Sequence, residues 1–279
     1  MFSRNKPFGK PLAPSRFRRL ALGSWGGTGD PTIYGILEVN AENALAHIAS
    51  EKARTGDRIT ITHYVGKVFA KVLERSPDMN AEIRWGRFYP RQSIDVSFQV
   101  AIEKNKDLSA GIVRNTNKAS LSEIAKVLNQ GAHDIRHKDD PGFRGVKRTS
   151  AMIPGFFQRP AVRLLQFLSS TLNLWSPIFG FPKNAFGSIM ITNVGSLGLD
   201  FALPALFPPA GVPMIIAVGA LYDAPVFEKR EDGYVNVKLE KHLKICGAFD
   251  HRYLDGLHAS KMAMDIRELF KHPERLDHS

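Results

Sequence analysis

Nine histidines are spread along the chain, and one of them, His251, stands in the run Phe249-Asp250-His251-Arg252-Tyr253-Leu254-Asp255-Gly256. A strand pattern leads into this run and a helical pattern follows it, so the spacing places an imidazole at a strand end. A histidine so placed is a candidate general base, because its ionisation lies near neutral pH. The competing reading is coincidence, since an H-x-x-x-D-G match is short and the surroundings must decide its weight. His258, two residues beyond the run, reads as a helix-surface residue.

Other chemistry is weakly signalled. His133 and His137 stand four apart on a helical pattern, but no third ligand of fitting spacing follows, so a solvated helix is the reading and no metal is expected. The chain carries no G-x-x-x-x-G-K-[ST] loop, no G-x-G-x-x-G after a strand and no H-E-x-x-H, which removes nucleotide hydrolysis and zinc proteolysis. Its single cysteine, Cys246, excludes an internal disulfide and favours a reducing compartment, with the cytoplasm as the expected address.

The elements that must position His251 are legible in outline. Ile33, Leu37 and Val39 suggest a strand, and Ala44 to Arg54 a helix closed by Gly56. Tyr64, Val65, Val68, Phe69 and Val72 form an apolar stripe on a helix from His63 to Arg75, stopped by Pro77. Ile94, Val96, Phe98, Val100 and Ile102 alternate as a strand, and Ser120 to Glu123 is a capping box opening another helix. Ile189 to Val194 and Met214 to Val218 read as buried strands, and Val226 to Glu240 as a hairpin about Asp232-Gly233. The last helix, Leu257 to Phe270, buries Met262, Ala263, Ile266 and Leu269. Strands and helices mix without a regular βαβ repeat, which indicates a layered α/β or α+β domain.

The 279 residues are 43% hydrophobic and 23% charged, a globular composition that rules out intrinsic disorder. Residues 1–30 are basic and rich in turn formers, and read as an arm outside the core; residues 31–279 read as a single domain. No secretory signal or spanning helix is expected. The segment from Ala151 to Phe186 is apolar, with Pro160 placed to start a helix whose Leu164, Leu165, Leu168, Leu172 and Trp175 share a side. Packing against the core or a partner subunit is its first reading; membrane-surface contact through 156–181, with Arg159 and Arg163 at headgroups, is the second. Lys plus Arg number 38 against 27 Asp plus Glu, a formal charge of +11 that asks for an anionic partner. The basic residues are scattered and lack a base-reading motif, so no specific nucleic acid is expected.

Several blocks together resemble one family. Lys71 to Ala81, Ile94 to Ala125, Gly187 to Gly195, Phe207 to Gly219 and Lys238 to Leu276 occur in the order and spacing of the catalytic domain of the dihydrolipoamide acyltransferases of 2-oxoacid dehydrogenase complexes. The resemblance covers about Asp30 to Asp140 and Phe186 to Leu276. It implies an α/β fold of the chloramphenicol acetyltransferase type, a two-layer sandwich with helices packed on a mixed sheet, assembled as a homotrimer with active sites between subunits. It also implies coenzyme A as substrate, with an acyl group passing to or from a thiol or other acceptor, either a lipoyl group on a separate protein or a small molecule. Within it His251 is the general base and Thr192 the oxyanion donor, where the family carries a serine. Asp255 pairs with an arginine near the domain start, either Arg16 or Arg18, while Gly256 permits a tight turn and Asn193 is structural.

Departures from the family pattern are equally readable. Neither a lipoyl domain nor a peripheral subunit-binding domain is recognised in these residues. An apolar insertion at about 141–184 replaces a short connection before the Thr192 strand, where it is expected to modify acceptor choice. The end, Arg275 to Ser279, is polar where cage-forming members end in apolar residues, so isolated trimers are expected. A non-catalytic trimeric scaffold that has kept the fold is the alternative to an acyltransferase.

Overall fold

In the computed structural model the alternation of Ile33, Leu37 and Val39 becomes the edge strand of a larger sheet, and their polar or exposed neighbours face away from the core. Residues 3–10, 31–102, 107–137, 155–180, 182–207, 210–229 and 234–276 are described. In chain order the elements are β1 (Ser3–Arg4), β2 (Thr32–Asn40), α1 (Glu42–Thr55), α2 (Ile61–Arg75), β3 (Ala81–Arg84), β4 (Arg87–Pro90), β5 (Val96–Ile102) and β6 (Asp107–Val113). They continue with α3 (Leu121–His137), α4 (Gly155–Gln166), β7 (Leu174–Trp175), β8 (Ile189–Asn193), β9 (Met214–Lys229), β10 (Val235–Asp250) and α5 (Gly256–Lys271). The main sheet has the order β2-β10-β9-β8-β5-β6, with β8 parallel to both its neighbours and every other pairing antiparallel.

One face of this sheet carries the core. Ile189 and Ile191 of β8, Ile216 and Val218 of β9, and Leu243 and Ile245 of β10 join residues of α1, α2, α3 and α5 in a single apolar cluster. No described α-helix packs on the opposite face, and Tyr34, Ile36, Leu197, Leu199 and Phe201 remain exposed there and on the segment after β8. The architecture is therefore the two-layer α/β sandwich expected from the resemblance.

Helix α2 is more deeply placed than a one-sided stripe implies: every residue from His63 to Leu73 is buried, Lys67 and Lys71 included. The Lys67 ammonium donates to the carbonyls of Asn117 and Ala119 at 2.9 and 2.6 Å, and Lys71 pairs with Glu74 at 3.0 Å. Long stems lie along apolar surface while the charged heads find oxygen. Gly66 lets this helix approach β5, because a Cβ there would stand 2.2 Å from the Phe98 ring.

Four expectations change. The two short segments read as Met214 to Val218 and Val226 to Glu240 belong to one hairpin with strands of 16 residues each. The interruption is a bulge opposite Leu243 to Ile245, where Gly219 passes so close to the Asp200 carbonyl that a Cβ would sit 2.1 Å from it. Second, Pro160 does not start its helix but lies inside α4. At the sixth position it removes the bond that its N–H would make to the Phe156 carbonyl near the helix start. Third, α4 gives way to a π turn at Phe167–Thr171 and then β7, so Leu168, Leu172 and Trp175 do not continue its face. Fourth, residues 3–10 are not a detached arm: β1 pairs with β7, and Asn5 and Lys6 are buried, the Lys6 ammonium 2.7 Å from Glu82. Basic, turn-rich composition concealed these contacts. The rest of the arm, with Arg16 and Arg18, lies outside the described residues, as do residues 138–154 of the insertion and its flank and the polar end 277–279. Among the described residues no helix is long and apolar enough to cross a membrane.

His63 supplies a pH test of this core. Its Nδ1 accepts the Thr60 N–H at 3.2 Å, and burial, with Arg58 nearby, pushes the ring from 6.5 down to about 4. The unfolded chain takes up a proton between these values that the folded chain refuses, so stability is full above pH 6.5 and falls as pH drops toward 4. The expected loss is on the order of 3 kcal/mol in denaturant titrations, and His63→Gln, which keeps an acceptor at the cap and cannot titrate, should flatten that slope.

Candidate active site

β10 ends at Asp250, and the turn that follows is held at nearly every residue. The Asp250 carboxylate accepts Arg252 Nε at 2.9 Å, Nη2 at 2.6 Å and the Arg252 N–H at 2.9 Å. Tyr253 is buried, accepts the Ile83 N–H on its hydroxyl at 2.8 Å and meets Phe88 edge-on, which clamps the turn to the β3–β4 hairpin. Burial, reinforced by Glu82 and Asp250, holds that phenol far above its usual range. Leu254 is locked in the core.

Within this frame the His251 N–H donates to the Pro31 carbonyl at 2.9 Å, and ring Nδ1 lies 2.5 Å from the Leu254 carbonyl. A carbonyl only accepts, so Nδ1 carries the hydrogen and the neutral ring has its lone pair on Nε2. This is the tautomer a general base requires.

Asp255 caps α5. Its Oδ1 accepts the N–H groups of Leu257 and His258 at 3.0 and 3.1 Å and lies 2.6 Å from His258 Nδ1. Burial pushes this carboxyl up, but the His258 amide and ring and the Leu257 amide outweigh it and leave it below the usual range. The two arginines expected opposite Asp255 fall outside the described residues; the partner sequence reading missed is His258. That residue is no plain helix-surface histidine, because its Nε2 also lies 3.0 Å from Asp78 Oδ2. Spacing along one helix cannot reveal a contact 180 residues away. Gly256 opens α5 with open space where a Cβ would go, so no close approach demands a glycine there.

Thr192 sits on β8 facing away from the helices, since its neighbour Ile191 joins the core. The adjacent Asn193 donates to Thr62 Oγ1 at 2.6 Å and accepts the Ser196 N–H at 2.9 Å, tying the strand end to α2. Thr192 is level with Ala217 of β9, and Ala217 with Cys246 of β10. His251 lies five residues beyond Cys246, roughly 17 Å along the strand, and two strand spacings add about 10 Å across it. One protomer therefore does not bring Thr192 and His251 together. On the Thr192 face, the Lys244 ammonium lies 5.5 and 5.3 Å from the Phe201 and Tyr222 rings. Cys246 is buried, and burial raises its thiol, so it is not a nucleophile.

A separate cavity of about 400 Å³ is lined by Lys6, Phe8, Arg84, Tyr89, Leu172 and Leu174, and none of His251, Asp255 and Thr192 lines it. Among the described residues no group of three or more His, Cys, Asp or Glu is placed to hold a metal ion. The side chains of His133 and His137 lie outside the description.

The family model of the 2-oxoacid dehydrogenases acyltransferase (catalytic domain) matches residues 28–139 and 184–277. The chain belongs to this family. It is 24% identical over 223 residues to the dihydrolipoyllysine-residue acetyltransferase component of the acetoin cleaving system of Bacillus subtilis, covering 80% of this chain and 44% of that protein. The chain thus spans less than half the length of the curated relative. The fold is similar to that of Azotobacter vinelandii dihydrolipoamide acetyltransferase, with a TM-score of 0.64 at 16% identity over 96% of this chain and 99% of that one. That structure belongs to work on the role of a serine, a histidine and an asparagine in the catalytic mechanism of the Azotobacter enzyme. Chloramphenicol acetyltransferase shares the fold more distantly, with a TM-score of 0.55 at 12% identity over 94% of this chain and 100% of that one.

The Tyr253 clamp is directly testable. Tyr253→Phe keeps the ring on Phe88 but leaves the Ile83 N–H without its acceptor, and should lower stability by about 1–3 kcal/mol in urea titrations.

Proposed function

We propose that the chain is an acyltransferase that moves an acyl group between coenzyme A and a thiol acceptor, with His251 as general base and Thr192 as oxyanion donor. The observation that carries this reading is the bond from His251 Nδ1 to the Leu254 carbonyl, which leaves the lone pair on Nε2. A thiol with a pKa near 8.5 is mostly protonated at neutral pH, so its attack needs a base. His251 Nε2 takes the thiol proton as sulfur bonds to the thioester carbon and the carbonyl pair moves onto oxygen. A hydroxyl donor at about 2.7 to 3.1 Å stabilises that oxyanion, and Thr192 retains the hydroxyl while its methyl stiffens χ1. Collapse of the intermediate breaks the original carbon–sulfur bond, and the departing thiolate recovers the proton from the imidazolium.

The acceptor is a lipoyl group on a separate protein or a small molecule, and the chain works as a homotrimer in which His251 of one protomer faces Thr192 of another. The separation of these residues within one protomer supports this arrangement, as does the sheet face left without helices. Lys244, on the Thr192 face, is a cation suited to a phosphorylated cofactor. The insertion between the two matched segments tunes acceptor choice: the Thr171 carbonyl accepts Arg84 Nε at 3.0 Å and Phe167 meets Trp85, so it lies against the hairpin that clamps Tyr253. A scaffold without activity is the rival reading, and turnover separates the two.

Thiol release from acetyl-CoA with dihydrolipoamide should fall on the order of 10²–10⁴-fold in His251→Ala and on the order of 10²-fold in Thr192→Val, with Thr192→Ser retaining activity. Light scattering should give three times the 31.0 kDa protomer mass; a monomer, or His251→Ala at full turnover, refutes the reading. Replacing residues 141–166 by a short linker, which spares Asn173 and Asn184, should change the ratio of turnover with free dihydrolipoamide to turnover with a lipoyl domain. An unchanged ratio removes the role given to the insertion.

A further inference from the structure

His258 is the one described histidine shown with a carboxylate at each ring nitrogen: Nδ1 is 2.6 Å from Asp255 Oδ1 and Nε2 is 3.0 Å from Asp78 Oδ2. A neutral imidazole donates from one nitrogen only, and its other lone pair would then point at a carboxylate oxygen. The doubly protonated ring satisfies both contacts at once. The two carboxylates stand on different parts of the fold. Asp255 follows directly on Leu254, whose carbonyl holds the His251 ring. Asp78 stands in the turn between α2 and β3, where the N–H groups of Met79 and Asn80 bond back to Ser76 and Pro77 at 3.0 and 3.1 Å and Met79 is buried. Close by in sequence, Arg75 bonds Asp265 and Glu268, and Lys261 bonds the Arg75 carbonyl at 3.1 Å.

We propose that His258 is a positioning residue for His251, an imidazolium strap that ties Asp255 to the rigid Asp78 turn and so fixes the Leu254 carbonyl against His251 Nδ1. The cap on α5 does not need the ring, because the Leu257 and His258 amides bond Asp255 without it. What the ring adds is a tie from the turn that carries the base to an element outside it. Its loss leaves the helix capped and the fold intact, and lets the Leu254–Asp255 peptide tilt, which misaims Nε2. The strap therefore acts on kcat and not on the binding of acyl-CoA. This inference rests on the proposed role of His251 as base.

The test compares His258→Phe, Asp78→Ala, Asp78→Asn and the His258→Phe/Asp78→Ala pair in the acetyl-CoA and dihydrolipoamide assay, with His251→Ala as reference. His258→Phe and Asp78→Ala should each lower kcat about tenfold, the effect of one charge-assisted hydrogen bond, with KM for acetyl-CoA within about twofold. The pair should be no slower than either single variant, and Asp78→Asn, which keeps an acceptor oxygen, should recover part of the loss. Unchanged kcat, a loss confined to KM, or a pair slower by the product of the singles overturns the strap. Should His258→Phe fail to fold, Asp78→Ala decides alone, since that side chain is 39% exposed and no part of the core. A readout independent of turnover is the His251 Nδ1 proton in ¹⁵N-histidine-labelled protein, expected to shift or broaden in Asp78→Ala. If His251→Ala keeps full turnover, the acyl-transfer reading fails, and an unmoved Nδ1 signal then sinks the strap separately.

Discussion

The site depends on one short contact, the carbonyl of Leu254 against Nδ1 of His251. An imidazole offers two nitrogens of similar basicity, and only an external acceptor decides which of them holds the hydrogen. A backbone carbonyl does this without adding charge, and so sets the tautomer. The cost is that a peptide unit must be aimed with the accuracy usually asked of a side chain. The anchoring around it follows from that need: Leu254 in the core, Tyr253 on the β3–β4 hairpin, the Asp250–Arg252 fork and the cap at Asp255.

The sheet imposes the second constraint. With four helices on one face, α2 buried almost all round and Gly66 allowing its close approach to Phe98, the packed side is committed to stability. Thr192 belongs to the other side, and the register puts it far from the turn that carries His251. A site using both residues is a property of an assembly. In the proposed homotrimer each protomer would supply two half-sites to different neighbours, which gives such an assembly as many sites as it has chains.

How much of this was visible beforehand depends on the range of the interactions. The six-residue run from His251 to Gly256, the strand ends and the stripe on α2 are local patterns, and the order of several such blocks carried the family resemblance and the sandwich fold. The interactions that escaped are those between distant residues. Asp78 and His258 are 180 positions apart, and a helix-surface histidine looks the same in sequence whether it meets water or a carboxylate. The burial of Lys67, Lys71 and Lys6 was hidden because charge predicts solvent unless an oxygen partner is known. A bulge at Gly219 reads in sequence as a strand end and so splits the β9–β10 hairpin, and proline reads as a helix start because that is where it costs nothing.

That hairpin has a consequence for the life of the chain before assembly. Its outer half carries Phe227, Val235, Val237 and Leu239 in full view of solvent. Sequence-adjacent strands separated by few residues pair early, because little loop entropy opposes them. A newly made protomer therefore displays a long greasy ribbon, whose backbone and side chains both invite sheet-to-sheet adhesion, before any neighbour arrives to shield it. In the proposed trimer, assembly over this surface would compete with such adhesion, and a high concentration of free protomer favours the latter.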